Sequence, residues 1–406
     1  MMKIKRKIGI ALLAFVSLIS LSSCAFFESA LNKLGFGTSE SGSSNTSSTT
    51  ISTSNYYPVV TSSNLDINTT TYDNNSTTTN STNASSTSEI RNDNLYDISL
   101  NYAYNDLERY DNYSKYQELY DKFEEVLNDF YSSTRTLTPE YIEIGGVSEK
   151  YYILEDVEYT DYVSHLDEDY KSQTALAVLK SVLLDNPKFY FVSNSLLNYT
   201  RTSGLKKNYF VKVTVDEAYA NGQSRKGYNE GLDNYIARCF DSFNEFMSDA
   251  DKIKVVHDYI NSTAKYAYEA DETTPSTSTF AHNVLGISIY GAGVCESYAE
   301  LFTLILKEAG IKAITVSGNG ITNSNPYGES HAWNYAMINN KYYGFDLTWD
   351  DSTESYSYYG MSYRTLTEGK TSSNGKHIAS NSSILDGINY LYNLPSVSST
   401  DYFFVI

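Results

Sequence analysis

One long segment limits how much of this 406-residue chain can form a core. Between residues 38 and 88, 37 of 51 residues are Ser, Thr or Asn, and no Lys or Arg occurs between Lys33 and Arg91. Such a composition buries too little apolar surface to offset the conformational entropy that folding costs. We therefore expect residues 25–92 to be a disordered Ser/Thr/Asn-rich linker that reaches roughly 40 Å on average. The folded part should begin near residue 93.

The first 24 residues have the pattern of an export signal. Four basic residues at positions 3–7 precede the almost wholly apolar stretch Ile8–Leu21, which is too short for a comfortable membrane span. The stretch ends in Leu21-Ser22-Ser23-Cys24, which resembles a bacterial lipobox. We expect residues 1–24 to be a lipoprotein signal peptide, with Cys24 acylated and the protein exported and anchored to the outer face of a bacterial cell membrane. An ordinary signal peptide with an unrelated Cys is the alternative.

Composition excludes several classes of function. A net charge of −19 disfavours a nucleic-acid partner, because a polyanion would be repelled. Three Cys in 406 residues exclude a disulfide scaffold and a Cys-rich zinc site. The five His show no metal-ligand spacing, and the acidic residues between 155 and 169 run consecutively, as on a solvated face. The sequence therefore predicts no metal and no cofactor.

Residues 93–249 predict a small α/β region of unknown role. Apolar residues recur at helical spacing from Tyr116 to Phe130, and a second helix is predicted over 174–184. Alternating patterns predict strands at 153–159, 189–192 and 209–215. No chemical motif occurs in this region.

Residues 250–406 contain the residues suited to chemistry. Helical spacing predicts one helix over 252–266 and another over 296–308, with Gly310 as the stop of the second. Cys295 therefore lies at or near a helix N-terminus. That position and a neighbouring imidazolium both favour the thiolate, which is the nucleophilic form of Cys. An isolated Cys is more often a small buried hydrophobe, so this hypothesis needs a partner residue.

A predicted hairpin supplies that partner. Strands over 331–338 and 341–348 would join at Asn339-Asn340, since Asn tolerates the positive φ of a two-residue turn. This register pairs His331 with Thr348 and places Asp346 diagonally on the same face, close enough to accept a hydrogen bond from the imidazole. The pattern predicts a catalytic triad in which Asp346 orients His331, and His331 deprotonates or pairs with Cys295.

The three segments that carry these residues resemble the motifs of the transglutaminase-like superfamily. They are Gly293–Ala299 (GVCESYA), His331–Asn334 (HAWN) and Gly344–Asp350 (GFDLTWD). The helix before them, over 255–266, is also similar to that of bacterial members. The likeness covers residues 250–351, a quarter of the chain. It departs at Ser297, where many members have Gly, and in the tail from Tyr356 to Ile406.

The resemblance implies an α+β fold of the papain-like kind. A helix carrying the Cys would pack on an antiparallel sheet that supplies His and Asp, within a domain over 250–406 that follows the smaller α/β region and the linker. Cys295 would attack a carboxamide or peptide carbonyl to form a thioester, and His331 would protonate the leaving amine and activate water or an amine. The expected function is acyl transfer that crosslinks or cleaves proteins or cell-wall peptides, so the expected partners are a protein or peptide substrate and, through the lipid, the membrane.

Further residues are candidates around this triad. The candidates for the substrate pocket are Trp333, Trp349, Tyr290 and Ser297. For the two Trp, core packing is the alternative, and Ser297 would narrow the pocket beside the nucleophile. The backbone N–H of Cys295 is a natural oxyanion donor. The candidates for a second donor are Tyr290, His282 and Asn283.

The remaining chemistry-bearing residues fit structural roles. Cys239 has core spacing, although a disulfide with Cys295 is an alternative that would silence the thiol. We expect His257 to be a structural hydrogen-bonding residue and Asp350 and Asp351 to cap or solvate a loop. His165 and His377 have no partner motif.

A non-catalytic cell-surface binding or adhesion module is the other class of function that the sequence allows. The 39 Tyr and the long linker suit surface recognition. An intact set of Cys, His and Asp argues against it.

Overall fold

The computed structural model of this protein describes residues 98–110, 113–144, 147–159, 168–193, 197–203, 206–371, 374–379 and 393–403. The predicted signal peptide with Cys24, the linker and His165 lie outside these ranges. Each helix within them is too short or too polar to cross a lipid bilayer.

Helices and strands alternate irregularly along the described ranges. The α-helices are α1 (Tyr102–Asp106), α2 (Tyr113–Ser132), α3 (Glu168–Asp185), α4 (Gly222–Phe240), α5 (Asp249–Thr263), α6 (Val284–Tyr290), α7 (Cys295–Glu308), α8 (Leu347–Thr353) and α9 (Tyr363–Glu368). The strands are β1 (Glu140–Ile144), β2 (Val147–Tyr159), β3 (Leu197–Ser203), β4 (Lys206–Val215), β5 (Ala313–Ile321), β6 (Glu329–Ile338), β7 (Lys341–Phe345), β8 (Tyr359–Met361) and β9 (Lys376–Ala379).

These strands form two antiparallel sheets. The first has the order β1-β2-β4-β3 and the second the order β8-β7-β6-β5-β9. Helices α2 and α3 pack on the first sheet, and α7 packs on β5 and β6 of the second. The expected α+β architecture, with the Cys-bearing helix on an antiparallel sheet, is confirmed.

The first sheet and its helices follow the sequence pattern in part, because α2, α3, β2 and β4 match predicted elements whereas β1 and β3 were not predicted. Helix α2 buries the predicted stripe, which comprises Tyr116, Leu119, Tyr120, Phe123, Leu127 and Phe130. The strand predicted at 189–192 is wrong. Pro187 opens a 3₁₀ turn over Pro187–Phe189, and only Val192 makes an isolated bridge to Val215. A fixed φ and a missing N–H make Pro a poor start for a paired strand.

Helix α7 begins at Cys295 and ends at Glu308, two residues before Gly310, the predicted stop. Ala309 is its C-cap and Gly310 has a φ of +81°. The N–H of Gly310 donates to Lys307 O at 2.9 Å, and that of Ile311 donates to Leu306 O at 2.9 Å. These two bonds form a Schellman motif.

The predicted hairpin is present but shorter than expected. Asn339 and Asn340 have φ values of +50° and +62°, and Ile338 pairs with Lys341 in the predicted register. Strand β7 ends at Phe345, however, because Asp346 is the N-cap of α8. The predicted pairing of His331 with Thr348 is therefore wrong, since Thr348 lies in that helix.

Candidate active site

Asp346 lies where β7 turns into α8. Its Oδ1 accepts a hydrogen bond from the backbone N–H of Trp349 at 3.0 Å, which is the usual role of an N-cap Asp. Its Oδ2 lies 2.8 Å from Nε2 of His331, and the residue is fully buried. The predicted contact between His331 and Asp346 is therefore present, although a helix cap rather than a strand pair creates it.

The environment keeps Asp346 ionised. Burial works to raise the pKa of this carboxyl. The charge of His331 and the hydrogen bonds from His331 and His377 outweigh burial and hold the pKa of Asp346 well below its usual range. An ionised carboxylate can only accept, so Nε2 of His331 carries a proton. The other ring nitrogen, Nδ1, is thereby left to exchange a proton with a thiol.

Aromatic rings fix the plane of His331. The ring of Trp349 stacks on it with centroids 4.8 Å apart and planes 15° apart, and Trp333 lies on it at 6.2 Å. Glycines of β5 make room for these rings. A Cβ at Gly320 would lie 2.8 Å from Trp349, and a Cβ at Gly318 would lie 2.7 Å from Trp333. A side chain at Gly320 would therefore clash first with the ring of Trp349, whereas one at Gly318 would clash first with the backbone oxygen of Ile378 in β9 and then with the ring of Trp333.

Cys295 is the first residue of α7 and is buried. It packs against Ala299 of its own helix and Ala332 of β6, the neighbour of His331. The loop before it is fixed by backbone bonds, in which Lys265 N–H donates to Gly291 O and Gly293 N–H donates to Lys265 O. The sequence predicted that Cys295 packs against the strand that carries His331, and the structure has this arrangement.

A carboxylate also contacts the thiol. Sγ of Cys295 donates to Oε2 of Glu296 at 3.4 Å, and Nδ1 of His282 lies 3.3 Å from the same oxygen. Burial works to raise the pKa of Glu296, but the bond and charge of His282 outweigh it, so the pKa of Glu296 lies below its usual value. The thiol proton in this structure is therefore directed at Glu296. Sequence reasoning missed this contact. The available signal was that Glu296 directly follows Cys295 in the chain.

The four pocket candidates occupy different places. Trp349 is partly buried and lies on His331. Trp333 is 1% exposed and packs in a core cluster with Ile314 and Val316, so the core alternative holds for it. Tyr290 ends α6, and its ring contacts Phe280.

Ser297 does not border the nucleophile's pocket as expected. It is fully buried, and its Oγ accepts the backbone N–H of Ile287 in α6 at 3.2 Å. A Cβ at Gly293 would lie 2.4 Å from Cβ of Ser297. This expectation is wrong because the first turn of α7 directs Ser297 towards α6.

The side chain of Asn283 is occupied by other partners and is a poor second oxyanion donor. Its Oδ1 caps α6 by accepting Leu285 N–H, and its Nδ2 donates to Tyr219 and Thr279. His282 donates from Nε2 to Ser276 O at 2.8 Å while its Nδ1 faces Glu296. That candidacy is wrong for Asn283, whose amide hydrogens both have acceptors.

His377 is the main residue that sequence reasoning missed. It was assigned no partner, yet its Nε2 lies 2.8 Å from Oδ2 of Asp346, and the side chain is fully buried. Strand β9 places it there by pairing with β5, in a register that sets His377 opposite Gly320 and His331 opposite Gly318. Two glycines at alternate positions of a strand were the signal, because they indicate a close approach on that face.

His331, Asp346 and His377 form a cluster of metal-ligand types, with one ligand atom of each within 4.8 Å of the others. Both Nε2 atoms lie 2.8 Å from the same carboxylate oxygen. That geometry is a pair of hydrogen bonds. Each Nε2 carries a proton where a metal would need the lone pair of that nitrogen. The residues present therefore fit hydrogen bonding better than metal ligation.

Cys239 and His257 have the structural roles that the sequence predicts. Cys239 and Cys295 are not joined in a disulfide, so that alternative is not realised in this structure. Cys239 is fully buried in the core, as predicted, and burial raises the pKa of its thiol to about 12. His257 binds Asp258 at 3.0 Å and Asp350 at 3.3 Å, which confirms its hydrogen-bonding role.

Asp350 and Asp351 differ from the expected solvated cap. Asp350 is 1% exposed and accepts Tyr358 N–H at 2.8 Å in addition to its contact with His257. Asp351 accepts the hydroxyl of Tyr298 at 2.6 Å. Both carboxylates therefore tie α8 to its neighbours.

Comparisons with known proteins find a family model that matches part of the chain. Residues 241–347 match the profile of the Transglutaminase-like superfamily. No curated protein matches the chain.

Among solved structures, a TGase matches at 16% identity over 37% of this chain and 43% of its own, with a TM-score of 0.25. A candidate cysteine protease from Cytophaga hutchinsonii matches at 15% over 39% of this chain and 63% of its own, with a TM-score of 0.23. The periplasmic domain of TgpA from Pseudomonas aeruginosa matches at 15% over 41% of this chain and 74% of its own, also with a TM-score of 0.23. The chain thus spans less than half of the TGase.

The profile match and the fold bear out the resemblance drawn from the three motifs. The matched range contains Cys295, His331 and Asp346. Residues 241–347 of this chain are a transglutaminase-like domain.

Proposed function

We propose that the protein is a thiol-dependent acyl-transfer enzyme that acts on proteins or cell-wall peptides. The observation that carries the proposal is the bond between His331 and an ionised, fully buried Asp346. His331 lies on β6, the strand against which Cys295 packs. A buried carboxylate held this way orients an imidazole and stabilises its protonated form. The position of Cys295 at the first turn of α7 favours the thiolate.

The chemistry proceeds through a thioester. Nδ1 of His331 takes the thiol proton, and Sγ of Cys295 attacks the carbonyl carbon of an amide. The tetrahedral intermediate collapses as His331 gives that proton to the leaving amine, which leaves an acyl group on sulfur. Water or a second amine, deprotonated by His331, then displaces the thiolate. Water gives hydrolysis and an amine gives transfer, and the same residues serve both reactions.

The backbone N–H of Cys295 is the proposed oxyanion donor, because the first N–H groups of a helix point out of its N-terminus, where they favour negative charge. Trp349 is the proposed wall of the acyl site, since its ring covers His331. Tyr290 stays a candidate at the rim, where it is 40% exposed.

Incubation with casein and a labelled primary amine tests the proposal. The proposed activity yields either labelled or crosslinked casein, which marks transfer, or new casein fragments, which mark hydrolysis. Cys295→Ala should abolish both, whereas Cys239→Ala should retain them. Product formation that survives Cys295→Ala would contradict the proposal, and an inert wild-type protein would favour the binding-module alternative.

We also propose that the protein is exported and held at the cell surface by a lipid on Cys24. The lipobox-like sequence Leu21–Cys24 supports this. Metabolic labelling with a radioactive fatty acid should mark the wild-type chain and not Cys24→Ala. Equal labelling of the two would contradict the anchor.

A further inference from the structure

One oxygen of Asp346 serves two imidazoles. Nε2 of His331 and Nε2 of His377 each lie 2.8 Å from Oδ2, while Oδ1 is occupied by the backbone N–H of Trp349 at 3.0 Å. A carboxylate only accepts, so His377 presents a proton on Nε2 and donates it to the same oxygen that holds His331. Nδ1 of His377 is buried and has no hydrogen-bond partner among the described residues. Within the described ranges, Asp346 is therefore the only hydrogen-bond partner of this side chain.

We propose that His377 is a positioning residue that shares the charge of Asp346 with His331 and so moderates the proton affinity of His331. The inference rests on the proposed function, because it concerns how readily His331 accepts and returns the proton of Cys295. In the proposed mechanism, His331 must take a proton from the thiol and then release it to the leaving amine. An imidazole that holds its proton too tightly would perform the second step poorly.

The physical reason is the direction of the His377 dipole. Its N–H points its positive end at Oδ2, which withdraws charge from that oxygen and weakens its attraction for a proton on His331. His377 itself is kept neutral. Burial first, and then the charge of His331, lower the pKa of His377 against the opposing effect of Asp346. It therefore acts as a neutral donor and not as a second cation.

The location of His377 supports a role at the site more than a role in packing. It lies on the edge strand β9, on the same face of the sheet as His331, with the bare glycines of β5 between them. Its ring is 4.4 Å from that of Trp349 and 5.9 Å from that of His331. An apolar residue would satisfy packing there, whereas only a donor can bind Oδ2.

Other titratable groups near the cluster are few and already bound. Asp350 of α8 is held by His257 and by Tyr358 N–H. The ring of Tyr358 lies 6.0 Å from that of His377, and its hydroxyl accepts Gly375 N–H. Glu296 faces Cys295 and His282. None of these hydrogen bonds involves His377, so a shift in titration on its replacement is attributed to the bond to Asp346.

The test measures the rate of Cys295 alkylation by iodoacetamide as a function of pH in the full chain. His377→Leu removes the donor at similar volume, and His377→Gln places an amide N–H near the position of Nε2. Without the donor, Asp346 stabilises the imidazolium of His331 more strongly. We expect the midpoint pH of alkylation in His377→Leu to fall by about half to one pH unit. His377→Gln should restore the wild-type midpoint.

Several results would overturn the inference. They are an unchanged midpoint in His377→Leu, a midpoint that rises, or a Gln variant that behaves as Leu does. If His377→Leu fails to fold by circular dichroism, His377→Asn takes its place, because its shorter amide does not reach Oδ2. In an Asp346→Asn background the Leu substitution should have no effect on the midpoint, and a persisting shift would contradict charge sharing.

Failure of the proposed function gives a different result. In that case the wild-type protein itself shows an unactivated Cys295 whose midpoint does not respond to His331→Ala. Failure of the present inference leaves the wild-type thiol activated and only the His377 variants without effect.

Discussion

Asp346 combines a structural and a chemical role in one side chain. Oδ1 caps α8 and Oδ2 binds His331 and His377. The cap needs only an acceptor oxygen, whereas His331 needs a negative charge. The two roles can therefore be separated by substitution.

Asp346→Asn should slow alkylation of Cys295 at pH 7 by about 10- to 100-fold, because an amide no longer stabilises the imidazolium. It should leave most of the cap in place, whereas Asp346→Ala should lower the free energy of unfolding by a further 1 kcal/mol or so. Denaturant unfolding and iodoacetamide kinetics measure the two effects. Asp216→Asn replaces a capping carboxylate at a 3₁₀ turn before α4; it is the control and should not affect alkylation. Equal alkylation rates in wild type and Asp346→Asn would contradict this role.

Glycines make the ring stack on His331 possible. A Cβ at Gly375 would lie 2.2 Å from the Trp349 ring, closer than real atoms approach. Gly375→Ala should therefore displace Trp349, lower the free energy of unfolding by about 1–3 kcal/mol and slow alkylation of Cys295.

Gly227→Ala is the matched control for Gly375→Ala. A Cβ at Gly227 would meet nothing within 4 Å, and the position lies inside α4. It should stabilise the protein by about 0.5–1 kcal/mol and leave alkylation unchanged. If both glycine variants behave alike, the ring stack has no role in the site.

At this scale the sequence predicted Cys295, His331 and Asp346 from local patterns, and the contact between His331 and Asp346 is present. It could not predict His377, because that residue is separated from Asp346 by 31 positions and reaches it only through the pairing of β9 with β5. It misplaced Ser297 because helix phase at the first turn depends on the residue where the helix begins.

At the scale of elements, α8 carries Asp346 and is itself anchored by α5. His257 of α5 is 2% exposed and binds both Asp258 and Asp350, and the ring of Tyr356 stacks on it at 5.2 Å. Burial works to lower the pKa of His257, but its bonds to Asp258 and Asp350 outweigh burial and raise the pKa. The folded protein therefore favours the imidazolium of His257 more than the unfolded chain does.

This anchor should make stability depend on pH. A group whose pKa is raised by folding contributes fully below its unfolded pKa, which is about 6.5 for His, and loses that contribution as the pH rises through the folded value. The loss in unfolding free energy caused by His257→Gln should therefore be larger at pH 6 than at pH 9. Chemical denaturation of both proteins at the two pH values measures it. A difference that grows with pH would contradict the charged anchor.

Element types were predicted better than element ends. Helix α5 begins at Asp249, three residues before the expected start, because Ser248 and Asp251 form a capping box. The strand predicted to reach Thr348 ends at Phe345, because Asp346 accepts a helix N–H. In both cases the hydrogen bond of one capping side chain determines where the element begins or ends. The periodic pattern of apolar residues does not show that bond, so it does not locate the boundary.

At the scale of the whole molecule, helix α7 shares one core with the region before residue 241. A single cluster of buried residues includes Phe123 of α2, Val211 of β4 and Phe302 of α7. At the far end of α7, Lys307 donates to Asn101 at 2.7 Å and to the backbone oxygen of Asp185. Burial lowers the pKa of Lys307 to about 8. The boundary proposed near residue 249 stays a prediction.

Because the core is shared, we expect that the segment 241–347, which matches the family model, does not fold without the region before it. A fragment that begins at residue 241 would expose the side of α7 and α5 that the preceding region covers. We expect residues 241–406 to lack the cooperative thermal transition and near-ultraviolet circular dichroism of the full chain. A sharp transition in the fragment would show that the region before residue 241 is dispensable for folding.

The central claim is that Cys295 is an activated thiol, and alkylation by iodoacetamide across pH tests it most directly. The peptides that contain Cys295 and Cys239 are quantified by mass spectrometry. Cys239 is the internal control, since burial raises its pKa to about 12 and the folded protein should protect it. We predict that Cys295 is alkylated well below about pH 8, the range where an ordinary thiol begins to react, and that His331→Ala removes this reactivity. Alkylation of Cys295 only above about pH 8, and equally in His331→Ala, would contradict the account.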